Sequence, residues 1–390
     1  LVNVISNLQT GRDKNAYNDY NLNTMKAEET LSSMYRTSWI AAKIVDIPPY
    51  EMTREWRTFT CQDPEGQIKK ELENAEKKFN VKNRFREALI YSRIFGGAAI
   101  VMNIEGSGNI DEPLFIENIK KGGLKQLSVL DRRLIFPVQM GDEFNPGSPD
   151  FADPAFYNIV NYRTRESSTF KIHKSRIIKF DGISLPMFEY LRNMFWGDSV
   201  LNRVMTAVSN CDLVQQAIAS MTHETNVDIF RIKDLSLTLG MEDGANQISN
   251  RLLNNNLIKS LNNSIVIDKD HEDFERKPLS FQALPEVLKQ YLSICASASD
   301  IPATRLLGSS PDGLNATGDS DIRNFYDSIR SGQEDVLREK LGYFDQVLAM
   351  STFGHLPEDL KFEFNPLWQT SDKEVADINY IKAQTYSIYL

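Results

Sequence analysis

Apolar residues recur at helical spacing through much of this chain. Between Leu284 and Ala298, the residues Val287, Leu288, Tyr291, Leu292, Ile294, Cys295 and Ala298 share one helical face. Pro302 ends that pattern, and Gly308, Pro311, Gly313 and Gly318 crowd into one loop. From Asp319 a second pattern carries Ile322, Phe325, Tyr326, Ile329, Val336, Leu337, Leu341, Phe344 and Leu348, a stripe of 27 residues counted from 322 to 348. A helix of that length spans about 40 Å. Gly332 and Gly342 lie inside it, which predicts a bend or two helices in series.

The rest of the chain is organised around this helix, loop and long helix. Residues 34–45 predict a short helix stopped by Pro48 and Pro49, and residues 67–95 a helical stretch that Gly96 and Gly97 end. A buried strand follows at 98–104 and another strand at 128–138. The runs FYNIVNY at 156–162 and TFKIHKSRIIKFDG at 169–182 predict two strands of an antiparallel sheet. A long amphipathic helix over 197–221, with Asp198 or Ser199 as its cap, leads to a short strand at 227–232. A helix from about 245 to 261, a β-type run at 264–270 and a charged loop at 268–277 come next. Residues 356–368 hold a further strand, and a last helical pattern begins at Ser371 and still runs at Leu390, so the C-terminus is expected to be incomplete. The class is α+β.

Composition narrows this picture without changing it. A hydrophobic share of 41% and an aromatic share of 10% over 390 residues describe a folded chain, long enough for more than one domain. A net charge of −9 weighs against a surface that wraps nucleic acid, though not against a passage through which DNA slides. No stretch of about 18 apolar residues occurs, so no membrane-spanning helix is expected. Cys61, Cys211 and Cys295 have neither metal nor disulfide spacing, and the last two lie on apolar stripes, which predicts buried thiols and fits a reducing compartment. Trp56 between Arg54 and Arg57 offers either a base-stacking platform or a packed ring with ion-paired arginines, and packing is the simpler reading.

The chain carries no phosphate loop, no dinucleotide fingerprint, no zinc-protease helix and no nucleophile elbow. Two short motifs repeat a pattern: His173-Lys174-Ser175 and His223-Glu224-Thr225 are both His-x-Ser/Thr. Paired motifs of this form carry cyclic-phosphodiester hydrolysis in 2H phosphoesterases, with one imidazole as base, the other as acid and the hydroxyls on phosphate. Asp319 and Asp321 read as acids at a helix N-terminus rather than as a metal site. No metal and no cofactor are expected.

Three stretches, Ile44–Phe59, Ile172–Gly182 and above all Ile301–Leu348, resemble tailed-bacteriophage portal proteins. The core of the likeness is IPATRLLGSSPDGLNATGDSDIRNFYDSIRSGQ, and FNPLW at 364–368 also fits. The resemblance implies the portal-protein fold, with a mixed α/β wing, long stem helices and a small α/β clip. On it, residues 1–33 form an N-terminal arm, 34–197 the wing, 198–278 a stem or clip candidate, 279–350 the stem or channel region, and 351–390 a strand and C-terminal helix. It implies a non-enzymatic ring of twelve subunits at the portal vertex of the virion, assembled in the host cytoplasm and having no membrane contact. Double-stranded DNA would pass non-specifically along its axis, and its partners would be terminase, a head-tail adaptor, and the major capsid and scaffold proteins. Ser309, Ser310, Asp312, Gly313, Asn315, Thr317 and Gly318 would then face the DNA, while Arg323, Arg330, Glu334, Asp335, Arg338 and Glu339 would pair between subunits. Two alternatives stand beside it. One is a phage cyclic-nucleotide phosphodiesterase counteracting host defence through His173, Ser175, His223 and Thr225; the other is a capsid scaffold or adaptor with no channel.

Overall fold

The computed structural model describes residues 28–61, 66–138, 141–148, 151–161, 168–223, 226–233, 272–278, 282–308, 319–368 and 380–382, with scattered positions from 235 to 254 and at 384–385. The chain divides into two compact units, one built from the residues up to Ser209 and from Leu292 onward, the other from Asn210 to Tyr291.

The larger unit opens with helices α1 (Glu28–Thr37) and α2 (Trp39–Arg54). α2 runs straight through Pro48 and Pro49, where the sequence predicts a stop. A proline cannot donate to the carbonyl four residues back, so Ile44 and Val45 lose their helical partners. Arg93 supplies both: its Nη2 donates to the Ile44 oxygen at 2.8 Å and its Nε to the Val45 oxygen at 3.1 Å. The helix survives because a side chain from another helix replaces two backbone donors.

Strand β1 (Arg57–Thr60) follows, then α3 (Gln67–Phe79) and α4 (Val81–Phe95). The single helical stretch expected at 67–95 is thus two helices, parted at Asn80, which takes a left-handed φ of 54°. Asparagine tolerates that conformation better than most residues, so the break needs neither glycine nor proline. Strand β2 (Gly97–Ile104) is central in an antiparallel sheet between β3 (Leu124–Asp131) and β7 (Ile177–Asp181). A second sheet has the order β4 (Ile135–Pro137), β5 (Phe156–Asn161), β6 (Ser168–His173). The strand expected at 128–138 is therefore split between sheets, at a turn where Asp131 accepts from the Arg133 backbone at 2.9 Å and from its guanidinium. The run at 169–182 is split likewise. Ala99, Ile135, Tyr157, Ile172, Ile177 and Trp196 form a buried cluster that joins residues of both sheets. Gly97 is required at that junction, since a Cβ there would lie 2.2 Å from the Trp196 ring.

Helices α5 (Met187–Arg192) and α6 (Val200–His223) follow, the latter capped by the Ser199 hydroxyl accepting from the Leu201 N–H at 3.1 Å. In the smaller unit, β8 (Asn226–Ile232) pairs antiparallel with β9 (Glu272–Pro278). β9 occupies much of the expected charged loop, and Arg231 sits opposite Asp273 with an ion pair of 2.7 Å across the strands. The β-type run at 264–270 lies outside the described residues.

Helix α7 (Leu284–Ala298) and the short α8 (Ala303–Leu307) precede α9 (Asp319–Gly332). Five residues of π-helix, Gln333–Leu337, join α9 to α10 (Arg338–Phe353), so the long stripe is two helices in series, joined just after Gly332. Buried Gln333 donates from Nε2 to the Met52 carbonyl in the last turn of α2 at 2.7 Å. Strand β10 (Lys361–Phe364) pairs with β1. A buried charge cluster pins these parts together: Arg57 on β1 donates to Asp345 on α10 at 2.5 and 2.6 Å and to Glu76 on α3 at 2.8 and 3.1 Å. Trp56 donates to the same Glu76 at 3.2 Å and lies edge-on to Phe85, so this tryptophan packs and its arginine neighbour is ion-paired. Cys211 and Cys295 are buried.

Candidate functional site

The first His-x-Ser/Thr motif sits where β6 leaves one sheet and β7 enters the other, on a single 3-10 turn, Lys174–Arg176. His173 caps this turn. Its Nδ1 accepts from the Ser175 backbone N–H at 3.2 Å and lies 2.8 Å from the Ser175 hydroxyl. An accepting Nδ1 fixes the tautomer, and the neutral ring carries its proton on Nε2. Phe156 stands edge-on to the imidazole, with ring centroids 5.3 Å apart. The Ser175 hydroxyl also accepts from the Leu114 N–H at 2.7 Å, and the Ser175 carbonyl accepts from the Tyr343 hydroxyl at 2.5 Å.

Arg176, the last residue of the turn, is only 2% exposed. It donates to the Glu112 carbonyl at 2.8 Å, the Ser107 hydroxyl at 2.8 Å and the Ser107 carbonyl at 2.7 Å. Burial pushes this guanidinium down from its ordinary pKa, with Glu112, Tyr343 and Asp111 pulling the other way. The His173 N–H adds a bond to the Ile110 carbonyl at 3.0 Å. The turn therefore anchors the loop that links β2 to β3. The outer side of that loop borders a cleft of about 860 Å³, walled by the Gly106–Gly108 turn, Phe115, Lys120, Lys121 and Gly354.

The structure brings His173 and Ser175 into contact. His223 ends α6 and belongs to the smaller unit, and Thr225 lies outside the described residues. So do Ser309, Ser310, Asp312, Gly313, Asn315, Thr317 and Gly318. Among the charged residues of the long helix, Arg338 pairs with Glu334 within the chain at 2.9 Å and donates to the Phe362 carbonyl at 3.1 Å. That bond lowers the Glu334 pKa and raises that of Arg338. Arg323 stacks over Trp368 at 4.8 Å, Asp335 accepts from the Ser331 hydroxyl at 3.2 Å, and Arg330 and Glu339 are exposed. Among the described residues there is no cluster of metal-ligating side chains, and no helix is long and apolar enough to cross a membrane. Ser107 and Lys120–Lys121 carry no periodic or motif signal, and Arg176, though inside the Ile172–Gly182 stretch, is not singled out by the sequence.

Compared with known proteins, residues 29–388 match the family described as phage portal protein, and the chain belongs to that family. Its fold is the portal-protein fold. Over 91% of this chain and 88% of the other, it matches a protein in the neck of the native GTA particle with a TM-score of 0.51 at 13% identity. Two relatives share far more of its sequence. The anti-CBASS protein Acb1 of a Caulobacter species is 36% identical over 98% of this chain and 61% of its own length. That of Sphingomonas paeninsulae is 32% identical over 100% of this chain and 62% of its own. The chain thus spans about six tenths of the length of these relatives.

These relatives correct the functional expectations. The reading as a classical tailed-phage portal gives way, and with it the twelve-subunit ring at a virion vertex, the DNA channel, and terminase, head-tail adaptor, major capsid and scaffold proteins as partners. The expectation of a non-enzymatic chain falls with them. Proteins alike over nearly the whole chain carry an anti-CBASS name, whereas the likeness to the GTA neck protein is one of fold. The reason is physical: a backbone frame depends on apolar pattern and packing, which tolerate wholesale exchange of side chains, while function depends on particular groups mounted on that frame.

Proposed function

We propose that this chain acts in phage counter-defence, as part of a protein that disarms a host cyclic-nucleotide signal by hydrolysing its phosphodiester bond. The observation that carries this reading is the 36% identity over 98% of the chain to an anti-CBASS protein Acb1. Hydrolysis requires a base to take a proton from the attacking water and an acid to protonate the departing ribose oxygen. A P–O bond forms to the water oxygen as the P–O bond to the ribose breaks. His173 is one imidazole for these roles; as the acid it acts as an imidazolium, whose second proton on Nδ1 is donated to the Ser175 hydroxyl 2.8 Å away. From the sequence pattern alone, His223 and Thr225 are the candidates for the second imidazole and a second hydroxyl. Ser175, engaged by Leu114 and His173, orients the imidazole and leaves phosphate binding to other groups.

The test incubates the purified chain, with the Caulobacter relative alongside, with cyclic di- and trinucleotides and follows linear products by chromatography. Linear product is expected, with turnover reduced roughly 100-fold or more in His173→Ala and in His223→Ala. Turnover that survives both changes would assign the chemistry to other groups. No turnover by either protein would sink the hydrolytic reading.

A further inference from the structure

We infer that the cleft between the Gly106–Gly108 turn and Lys120–Lys121 is a nucleotide-binding site, with phosphate on the two lysines and a base on Phe115. The choice of a cyclic dinucleotide as ligand rests on the counter-defence reading; the geometry of the cleft does not. At about 860 Å³ the cleft falls in the size range of small-molecule sites. Phe115, one of its lining residues, leaves 59% of its surface in water, an aromatic ring available for stacking. Lys120 and Lys121 are adjacent and exposed, and among the described residues neither has an ion-pair partner, whereas nearby Lys125 is paired with Glu105 at 2.8 Å. Two unpaired ammonium groups beside an open ring match the two faces of a nucleotide, one anionic and one aromatic.

The acids of the cleft do not cancel this. The Glu112 carboxylate is exposed on the cleft but engaged, accepting from the Asn109 N–H and from its amide, each at 3.1 Å. Glu117 remains on the rim, where it disfavours a ligand with phosphate on that side. Gly108 takes a left-handed φ of +87°, which favours glycine, so the turn, one wall of the cleft, presents no side chain at that position. The wall is held before any ligand arrives: Arg176 grips Ser107 and Glu112, and the Gly122 N–H donates to the Ser351 carbonyl at 2.6 Å. Such preorganisation avoids an ordering cost on binding.

The experiment measures binding of a phosphorothioate cyclic dinucleotide by calorimetry, with inorganic phosphate and adenosine as partial probes. Binding is expected to weaken roughly tenfold or more in Phe115→Ala and in the double variant Lys120→Ala/Lys121→Ala. Phe115→Trp should retain it, and added salt should weaken the parent chain more than the double lysine variant. All three side chains are exposed, so folding is not at stake. No binding, or binding unchanged in every variant, overturns the site. The two readings separate cleanly. Turnover with an unaltered KM in these variants removes the cleft and leaves hydrolysis standing. Ligand binding lost in the variants, with no turnover by any protein, removes hydrolysis and leaves the cleft.

Discussion

Replacing Arg93 by alanine removes the two donors that stand in for the missing N–H groups of Pro48 and Pro49. The carbonyls of Ile44 and Val45 belong to residues with 0% exposure, so water does not readily take over. A buried acceptor left without a partner costs about 1–3 kcal/mol, which makes roughly 2–6 kcal/mol for the pair. That is a large part of a typical stability of about 5–15 kcal/mol. Burial pushes the guanidinium down to about 10, with Asp46 pulling the other way. A pKa lowered in the folded state alters stability only as pH approaches that value, so the loss should be flat from about pH 5 to 9. Urea unfolding followed by circular dichroism should show a lower midpoint with an unchanged slope. Arg93→Lys offers one ammonium to two carbonyls and should lose about half as much. In a Pro48→Ala/Pro49→Ala background the helix regains both donors, and the same arginine change should cost about 2–6 kcal/mol less. An alanine variant within about 0.5 kcal/mol of the parent, or an equal loss in both backgrounds, would refute the account.

Burial raises Asp345 to about 6 from an ordinary 3.8, against the pull of Arg57. The folded state then binds the proton more tightly than the unfolded state, so this group's contribution falls as pH rises from about 4 to 6. The stability difference between the parent and Asp345→Asn should decline over that window in parallel denaturation curves, and a flat difference would contradict it. Gly97→Ala drives a methyl group into the buried Trp196 ring and should destabilise by about 1–3 kcal/mol, with altered tryptophan emission. An unchanged Tm and spectrum would show that the two sheets are packed more loosely than described.

The periodic elements were legible in the sequence because apolar spacing is a local signal. α6, α7 and the stripe through α9 and α10 follow from it directly. Two of the misreadings share a cause, a partner remote in the chain. Nothing near Pro48 and Pro49 announces that Arg93 will serve their carbonyls. The charges of β9 read as a solvated loop until Arg231 is set opposite Asp273. The turn between β3 and β4 holds neither glycine nor proline; Asp131 and Arg133 shape it by folding back on each other. The His-x-Ser pattern identified the residue types of a reactive pair, but not that the Leu114 N–H would claim the hydroxyl. The cleft was invisible for another reason: its lysines and phenylalanine lie on a non-periodic loop and converge only once Arg176 holds that loop down.

The π-helical turn after Gly332 has a consequence for how the chain can change length. Phe325, Ile329, Gln333, Leu337 and Leu341 are all buried, at intervals of four. A regular helix advances about 100° per residue, so each such interval slips about 40° and four of them wander about 160°, towards the opposite face. One wide turn absorbs a residue and takes back about 100° of that drift. The helix thus behaves as a ruler with one spare division. A chain one residue shorter within Gln333–Leu337 can close into ordinary helix and keep Leu341 and Phe344 facing inward. A chain one residue longer has already used its allowance and must swing both towards solvent.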